Sequence, residues 1–185
     1  MDQEKIDECF MLEALKEAKI AFELDEVPIG AVLVHRGEVV ARGHNLVESG
    51  RSATFHAEFL CLQRAAEVLK SWRLLETTLY STLEPCPMCA GAMILSRIQT
   101  LVWAAPDLRC GADGSWIELL AKPHPIHQIR IRSGICKSAS SQLMQQFFQK
   151  KRGEKSNGKD LRRTVGSAEE ETSSLCKENC SAYYR

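Results

Sequence analysis

This 185-residue sequence predicts a three-layer α/β fold around a sheet of mixed direction. Three observations point there. The N-terminal stretch carries an apolar stripe at helical spacing. A hairpin signal follows Pro28. From His56 onward, short strand-like runs alternate with helical runs, the order that stacks helices on a sheet with parallel neighbours.

Ile6, Phe10, Met11, Ala14, Leu15, Ala18, Ala21 and Phe22 share one helical face, with Lys and Glu filling the other. Pro28, Ile29 and Gly30 end that helix. Residues 31–34 (Ala-Val-Leu-Val) then form a strand, 35–38 a turn, and 39–41 the hairpin mate. A helix opens at His56 and keeps Ala57, Leu60, Cys61, Ala65, Val68 and Leu69 on one face. Residues 78–81 form a short strand that delivers Glu84, Pro85 and Cys86. The run 88–95 is a second helix, and Pro87 is tolerated in its first turn. Residues 100–104 form a strand, 111–115 a loop, 116–122 a short helix, 129–131 a short strand and 140–151 a helix. Past Gly153 the chain turns polar and loses periodicity, so a disordered tail is expected. The expected division is a domain at 1–152 and a tail at 153–185. There is no internal repeat. A Gly-rich phosphate loop is also missing, which excludes nucleoside triphosphate chemistry of that kind.

Formal charge is zero, but its distribution is uneven. Residues 150–185 hold nine Lys/Arg against six Asp/Glu. Between Phe148 and Arg163 seven basic residues face only Glu154 and Asp160. That stretch is either a phosphate-contacting segment or a solvated tail. Eight cysteines would suit a secreted disulfide scaffold, yet the sequence begins Met-Asp-Gln-Glu with no apolar leader pattern. No run is long enough to span a membrane. The expectation is a reducing cytoplasm. Cys9, Cys61 and Cys136 then read as buried or half-buried thiols, and Cys176 and Cys180 as inert tail residues.

The chemistry sits in two short segments. His56 is followed by Ala57 and Glu58, and further on come Pro85, Cys86, Pro87, Met88 and Cys89. One imidazole and two thiolates fill three corners of a zinc tetrahedron, leaving the fourth for water, which is the layout of a catalytic rather than a structural site. A helix starting at Cys86 would stabilise the thiolates through its N-terminal dipole. Glu58, two residues from the first ligand, is placed to move protons. Alternatives are a redox C-x-x-C pair, a structural zinc completed by Cys61, Cys110 or a tail cysteine, and a dead zinc fold, which would not need Glu58.

The order H-x-E then P-C-x-x-C is the signature of zinc-dependent nucleobase deaminases. Over about 12–152 the chain resembles bacterial tRNA-specific adenosine deaminases of the cytidine deaminase-like superfamily. The resemblance is carried by 26–34, by Gly43, His44 and Asn45, by 56–58 and 78–94, and by Ser96, Arg97 and Ile98. Gly111, Ala112, Gly114 and Ser115, and Phe147 and Phe148 with the basic residues after them, complete it. It implies a five-stranded sheet, a homodimer, one Zn2+ per subunit and conversion of the wobble adenosine of a tRNA anticodon to inosine. The implied chemistry is zinc-hydroxide attack with proton shuttling by Glu58.

By the same resemblance His56, Cys86 and Cys89 hold the metal, and Asn45 hydrogen-bonds the target base. Asp107 lies near the flanking nucleotides, and Phe147, Phe148, Lys150, Lys151 and Arg152 hold the anticodon loop. Read without it, Asn45 is a turn residue, Asp107 caps a turn beside Pro106, and Phe147 and Phe148 are core or dimer contacts. The chain departs from the family pattern at His44, Ser52, Ala53, Phe55 and Pro106. Rival functions are deamination of a free base or nucleoside, such as guanine or cytosine, and a non-catalytic zinc scaffold that binds RNA.

Overall fold

The structure, a computed structural model, describes residues 2–165. Its elements are α1 (Gln3–Glu23), β1 (Gly30–His35), β2 (Glu38–His44), α2 (Ala57–Leu69), β3 (Thr77–Leu83), α3 (Pro87–Ser96), β4 (Thr100–Ala105), β5 (Arg130–Ser133) and α4 (Lys137–Val165). The five strands form one sheet in the order β2-β1-β3-β4-β5. β1 runs antiparallel to both neighbours, while β3, β4 and β5 are parallel. The expected mixed sheet of five strands is therefore the observed one.

Strand alternation builds the layers. Ala31 and Leu33 point to one face with Leu79, Leu101 and Trp103, where Cys61, Leu62 and Ala65 of α2 and Ala90, Met93 and Ile94 of α3 cover them. Val32 and Val34 point to the other face with Tyr80, Val102 and Ala104, and meet Met11 and Ala14 of α1. The central strands are apolar on both sides because both sides are covered. Gly30 lets α1 and β1 touch: a Cβ there would collide with the Ala14 carbonyl and the Ala18 amide. Polar groups cross the same face. Asp7 of α1, 1% exposed, accepts hydrogen bonds from Tyr80 Oη at 2.8 Å and from Arg132 Nε and Nη2 at 2.6 and 2.9 Å. That carboxylate ties α1 to β3 and β5.

Two expectations fail. Residues 116–122 are not helical but a succession of turns with one isolated bridge, Asp113 to Glu118. Their amides are taken by carbonyls upstream: Trp116 and Ile117 donate to Gly111, and Leu119 and Leu120 to Ala112. The last helix is longer than the expected 140–151 and continues through Gly153 to Val165. Gly153 and Gly158 each cost the helix only about 1 kcal/mol, and the Lys, Arg, Glu and Leu around them are good helix formers. Of the expected tail, 153–165 is thus helical in backbone, and 166–185, with Cys176 and Cys180, lies outside the described residues. The fold divides into two units after Phe147. Elements α1 to β5 and the start of α4 make up the first.

Candidate active site

Two helix starts carry the metal-type ligands, as the motif spacing predicted. His56 is the N-cap of α2 and Cys86 the N-cap of α3, both in extended backbone, with Cys89 in the first turn of α3. Parallel pairing of β3 with β4 requires a crossover, and α3 supplies it, so Cys86 emerges beyond the C-terminal end of β3. His56 Nδ1 lies 3.5 Å from Cys86 Sγ and 3.7 Å from Cys89 Sγ. All three ligand atoms fall within 4.8 Å of one another. A tetrahedral zinc with its usual bond lengths would set nitrogen and sulfur about 3.6 Å apart. The three side chains are therefore already at ligand spacing. Among the described residues no fourth Asp, Glu, Cys or His joins the group, so Cys61 and Cys110 do not complete a structural site.

The electrostatics suit a cation. Cys89 and His56 both hydrogen-bond the Cys86 sulfur, with Cys89 the larger influence, and hold the thiol at about 4. Contact with that thiolate pushes the Cys89 thiol and the His56 imidazole up. Glu58, in the first turn of α2, is 3% exposed. Burial pushes its carboxyl up to about 7. Its Oε2 is buried and has no hydrogen-bond partner among the described residues. A buried orphan oxygen beside an incomplete tetrahedron is the arrangement a metal-associated proton carrier needs.

Two further buried carboxylates, which the sequence reading did not single out, organise the segments that carry Asn45 and Asp107. Glu26 is 1% exposed and accepts from Asn45 Nδ2 at 3.2 Å, Glu48 N at 3.2 Å and Ser49 N at 2.6 Å. Glu84, also 1% exposed, accepts from Asp107 N at 3.1 Å, Asp113 N at 2.9 Å, Ser115 N at 3.2 Å and Ser115 Oγ. Gly111 stays glycine because a Cβ would strike that carboxylate. Asn45 is 4% exposed at the end of β2. Asp107 caps its own turn through Oδ1, which accepts from Arg109 N and Cys110 N at 3.0 and 3.3 Å.

Comparison with known proteins decides the family. Residues 5–152 match the MafB19-like deaminase model. The chain is 46% identical over 149 residues to the tRNA-specific adenosine deaminase of Bacillus subtilis (strain 168), covering 80% of this chain and 92% of that protein. The chain belongs to the tRNA-specific adenosine deaminase family. It is 52% identical over 164 residues to the chloroplastic tRNA(adenine(34)) deaminase of Arabidopsis thaliana, but spans only 12% of that much longer protein. A solved structure from work on A-to-I editing by tRNA:A34 deaminases superposes with a TM-score of 0.70 at 42% identity, covering 72% of this chain and 97% of the other. The guanine deaminase of Nitrosomonas europaea superposes at 0.68 with 26% identity, over 76% of this chain and 83% of that one.

Three of the deaminase's departures from the family pattern, His44, Phe55 and Ser52, have local explanations. His44 Nδ1 lies 2.9 Å from Glu17 Oε2 of α1, whose carboxylate is mostly buried. Phe55 fills space against Gly50, where a Cβ would collide with its ring. Its carbonyl accepts from Leu46 N at 3.0 Å and closes the loop that leads into His56. Ser52 Oγ lies 3.0 Å from Thr54 Oγ1 in the same loop. Nothing in the structure explains Ala53 or Pro106. Phe147 is 3% exposed and stands edge-on to Phe22 at a centroid distance of 5.8 Å. So enclosed, it packs within the first unit, in keeping with the core contact that the sequence reading gave as its alternative to holding the anticodon loop. Phe148, Lys150, Lys151 and Arg152 belong to the second unit. There Lys150 and Lys151 lie 3.9 and 3.4 Å from Glu154. Among the described residues no helix is long and apolar enough to cross a membrane, and no cysteine is in a disulfide.

Proposed function

We propose that this chain deaminates the wobble adenosine of a tRNA anticodon to inosine, with one zinc ion per subunit on His56, Cys86 and Cys89. The observation that carries the proposal is the three-ligand group at tetrahedral spacing with Glu58 enclosed beside it. Kinship with deaminases that act on tRNA supports the substrate. Bound zinc would supply a Lewis acid that activates water at neutral pH.

The protein's own residues do the rest. The unpartnered Glu58 Oε2 accepts the proton released from water. A carboxyl held near 7 by burial passes that proton to the ring nitrogen, then takes the second proton from the newly added hydroxyl and delivers it to the departing amine. Asn45 hydrogen-bonds the target base. A single-stranded loop suits this arrangement, because an unstacked base enters a pocket for only a few kcal/mol. Phe148, Lys150, Lys151 and Arg152 are the proposed contacts to the anticodon loop, as is Asp107 through the turn it caps. We place the enzyme in a reducing compartment such as the cytoplasm, as a homodimer, with a dimer mass in sedimentation equilibrium as the check.

The test is inosine formation by zinc-loaded protein on an anticodon stem-loop with adenosine at the wobble position, beside free adenosine, guanine and cytosine. Inosine in the RNA alone is expected. Turnover of guanine alone would move the enzyme to the free-base branch that its structural likeness to guanine deaminase leaves open. No turnover of any substrate would favour an RNA-binding zinc scaffold.

A further inference from the structure

We propose that Glu26 is a positioning residue that fixes the orientation of the Asn45 side-chain amide, and thereby sets which edge of a base the pocket accepts. The proposal rests on Asn45 touching the base. Glu26 follows directly on α1, far in sequence from the metal motif, yet it is 1% exposed. Its two oxygens divide their work. Oε1 accepts from Ser49 N at 2.6 Å, while Oε2 accepts from Glu48 N at 3.2 Å and from Asn45 Nδ2 at 3.2 Å. The Asn45 backbone is held separately by its amide bond to the Ile29 carbonyl at 3.0 Å.

A carboxylate that accepts from two backbone amides offers nothing but acceptors. Of the two ends of the Asn45 amide, only the NH2 can face it. The oxygen and the second N–H are then committed to the opposite side. An amide presents an acceptor and a donor side by side, the pattern that matches the amino group and ring nitrogen along one edge of adenine. Reversing the amide exchanges the two and mismatches both. A buried asparagine without such a neighbour would sample both orientations. With Glu26 in place one of them sets a carbonyl oxygen against a carboxylate, and a buried unpaired acceptor of that kind is strongly disfavoured.

Glu26→Gln tests this directly. Its oxygen keeps the short bond to Ser49 N, its NH2 faces Asn45 and turns the amide round, and the Glu48 amide loses its acceptor in both backgrounds, so that cost cancels in the cycle. Zinc-loaded wild type, E26Q, N45A and the double variant are compared by kcat/KM on the anticodon stem-loop, with melting temperature and zinc content beside it. The expected result is a loss of about tenfold for E26Q in the wild-type background and less than about twofold in the N45A background. Zinc content should be equal throughout. An equal loss in both backgrounds would overturn the proposal and make Glu26 a brace for the 45–49 loop, as would no loss in either. N45A at wild-type kcat/KM would instead remove Asn45 as a base contact, and with it the reading beneath the proposal. The same cycle run with E26D carries the test should E26Q not fold.

Discussion

Glu58 is enclosed by protein while one of its oxygens has no partner. Buried carboxylates are ordinarily satisfied, so this vacancy calls for a reason, and proton transfer beside a metal supplies one. Two outcomes follow if it is a proton carrier and not a ligand. E58Q should lose about 10²- to 10⁴-fold in the rate of inosine formation, with zinc content by atomic emission unchanged. Zinc loss from E58Q would instead make Glu58 part of the metal shell. Cys89→Ala removes one of three ligands and should release the metal. For the wild type, stripping zinc with a chelator should lower the melting temperature by roughly 5–10 °C, the linkage expected for a metal held at a hundredfold excess over its dissociation constant. A melting temperature indifferent to chelation would argue against the site. At this scale the sequence was legible where chemistry restricts residue choice: only a few side-chain types bind zinc, and their spacing exposed His56, Cys86 and Cys89. Glu26 and Glu84 were hidden because an acidic residue in a turn looks like solvated surface until the donors around it are known.

Elements that cross the core were equally legible, since their apolar periods are dictated by burial. The strands at 30–35, 77–83 and 100–105 and the two ligand-bearing helices came out within two or three residues of expectation. The segment between β4 and β5 did not, because its conformation is decided by a distant side chain. A short helix is expected at 116–122, but Glu84 holds the amides of Asp107, Asp113 and Ser115. Propensity over such a short run is too weak to compete with a buried carboxylate surrounded by donors. Glu84→Ala should therefore destabilise the fold by about 2–4 kcal/mol, read from urea unfolding, and speed hydrogen exchange through 107–117. Gly111→Ala should loosen the same loop, since its methyl group would strike the Glu84 carboxylate. If exchange in E84A quickened evenly across the sheet, Glu84 would be a general core residue and not the pin of this loop.

At the scale of the whole molecule, the proposed catalytic and RNA-holding residues fall on segments of different charge. The metal group lies in a first unit whose charge is mildly acidic, whereas the cations gather from Lys150 onward. The sequence revealed that asymmetry but not how the basic run is used, because phosphate contacts need no fixed spacing. The exposed pairs of Lys150 and Lys151 with Glu154 are weak and salt-sensitive, so a polyanion competes with them readily. If these cations grip the anticodon loop, removing them should act on binding alone. The triple variant K150A/K151A/R152A should keep the kcat of the wild type and raise KM for the stem-loop. The plot of log K against log salt should flatten by about 2, since each single-strand phosphate contact contributes roughly 0.7 to its slope. Titration of labelled RNA at several salt concentrations reads this slope without reference to turnover. An unchanged slope would assign the basic run to solvent and move the search for the RNA clamp to the first unit. A fall in kcat at unchanged slope would mean that the segment shapes the catalytic centre, which charge alone does not predict.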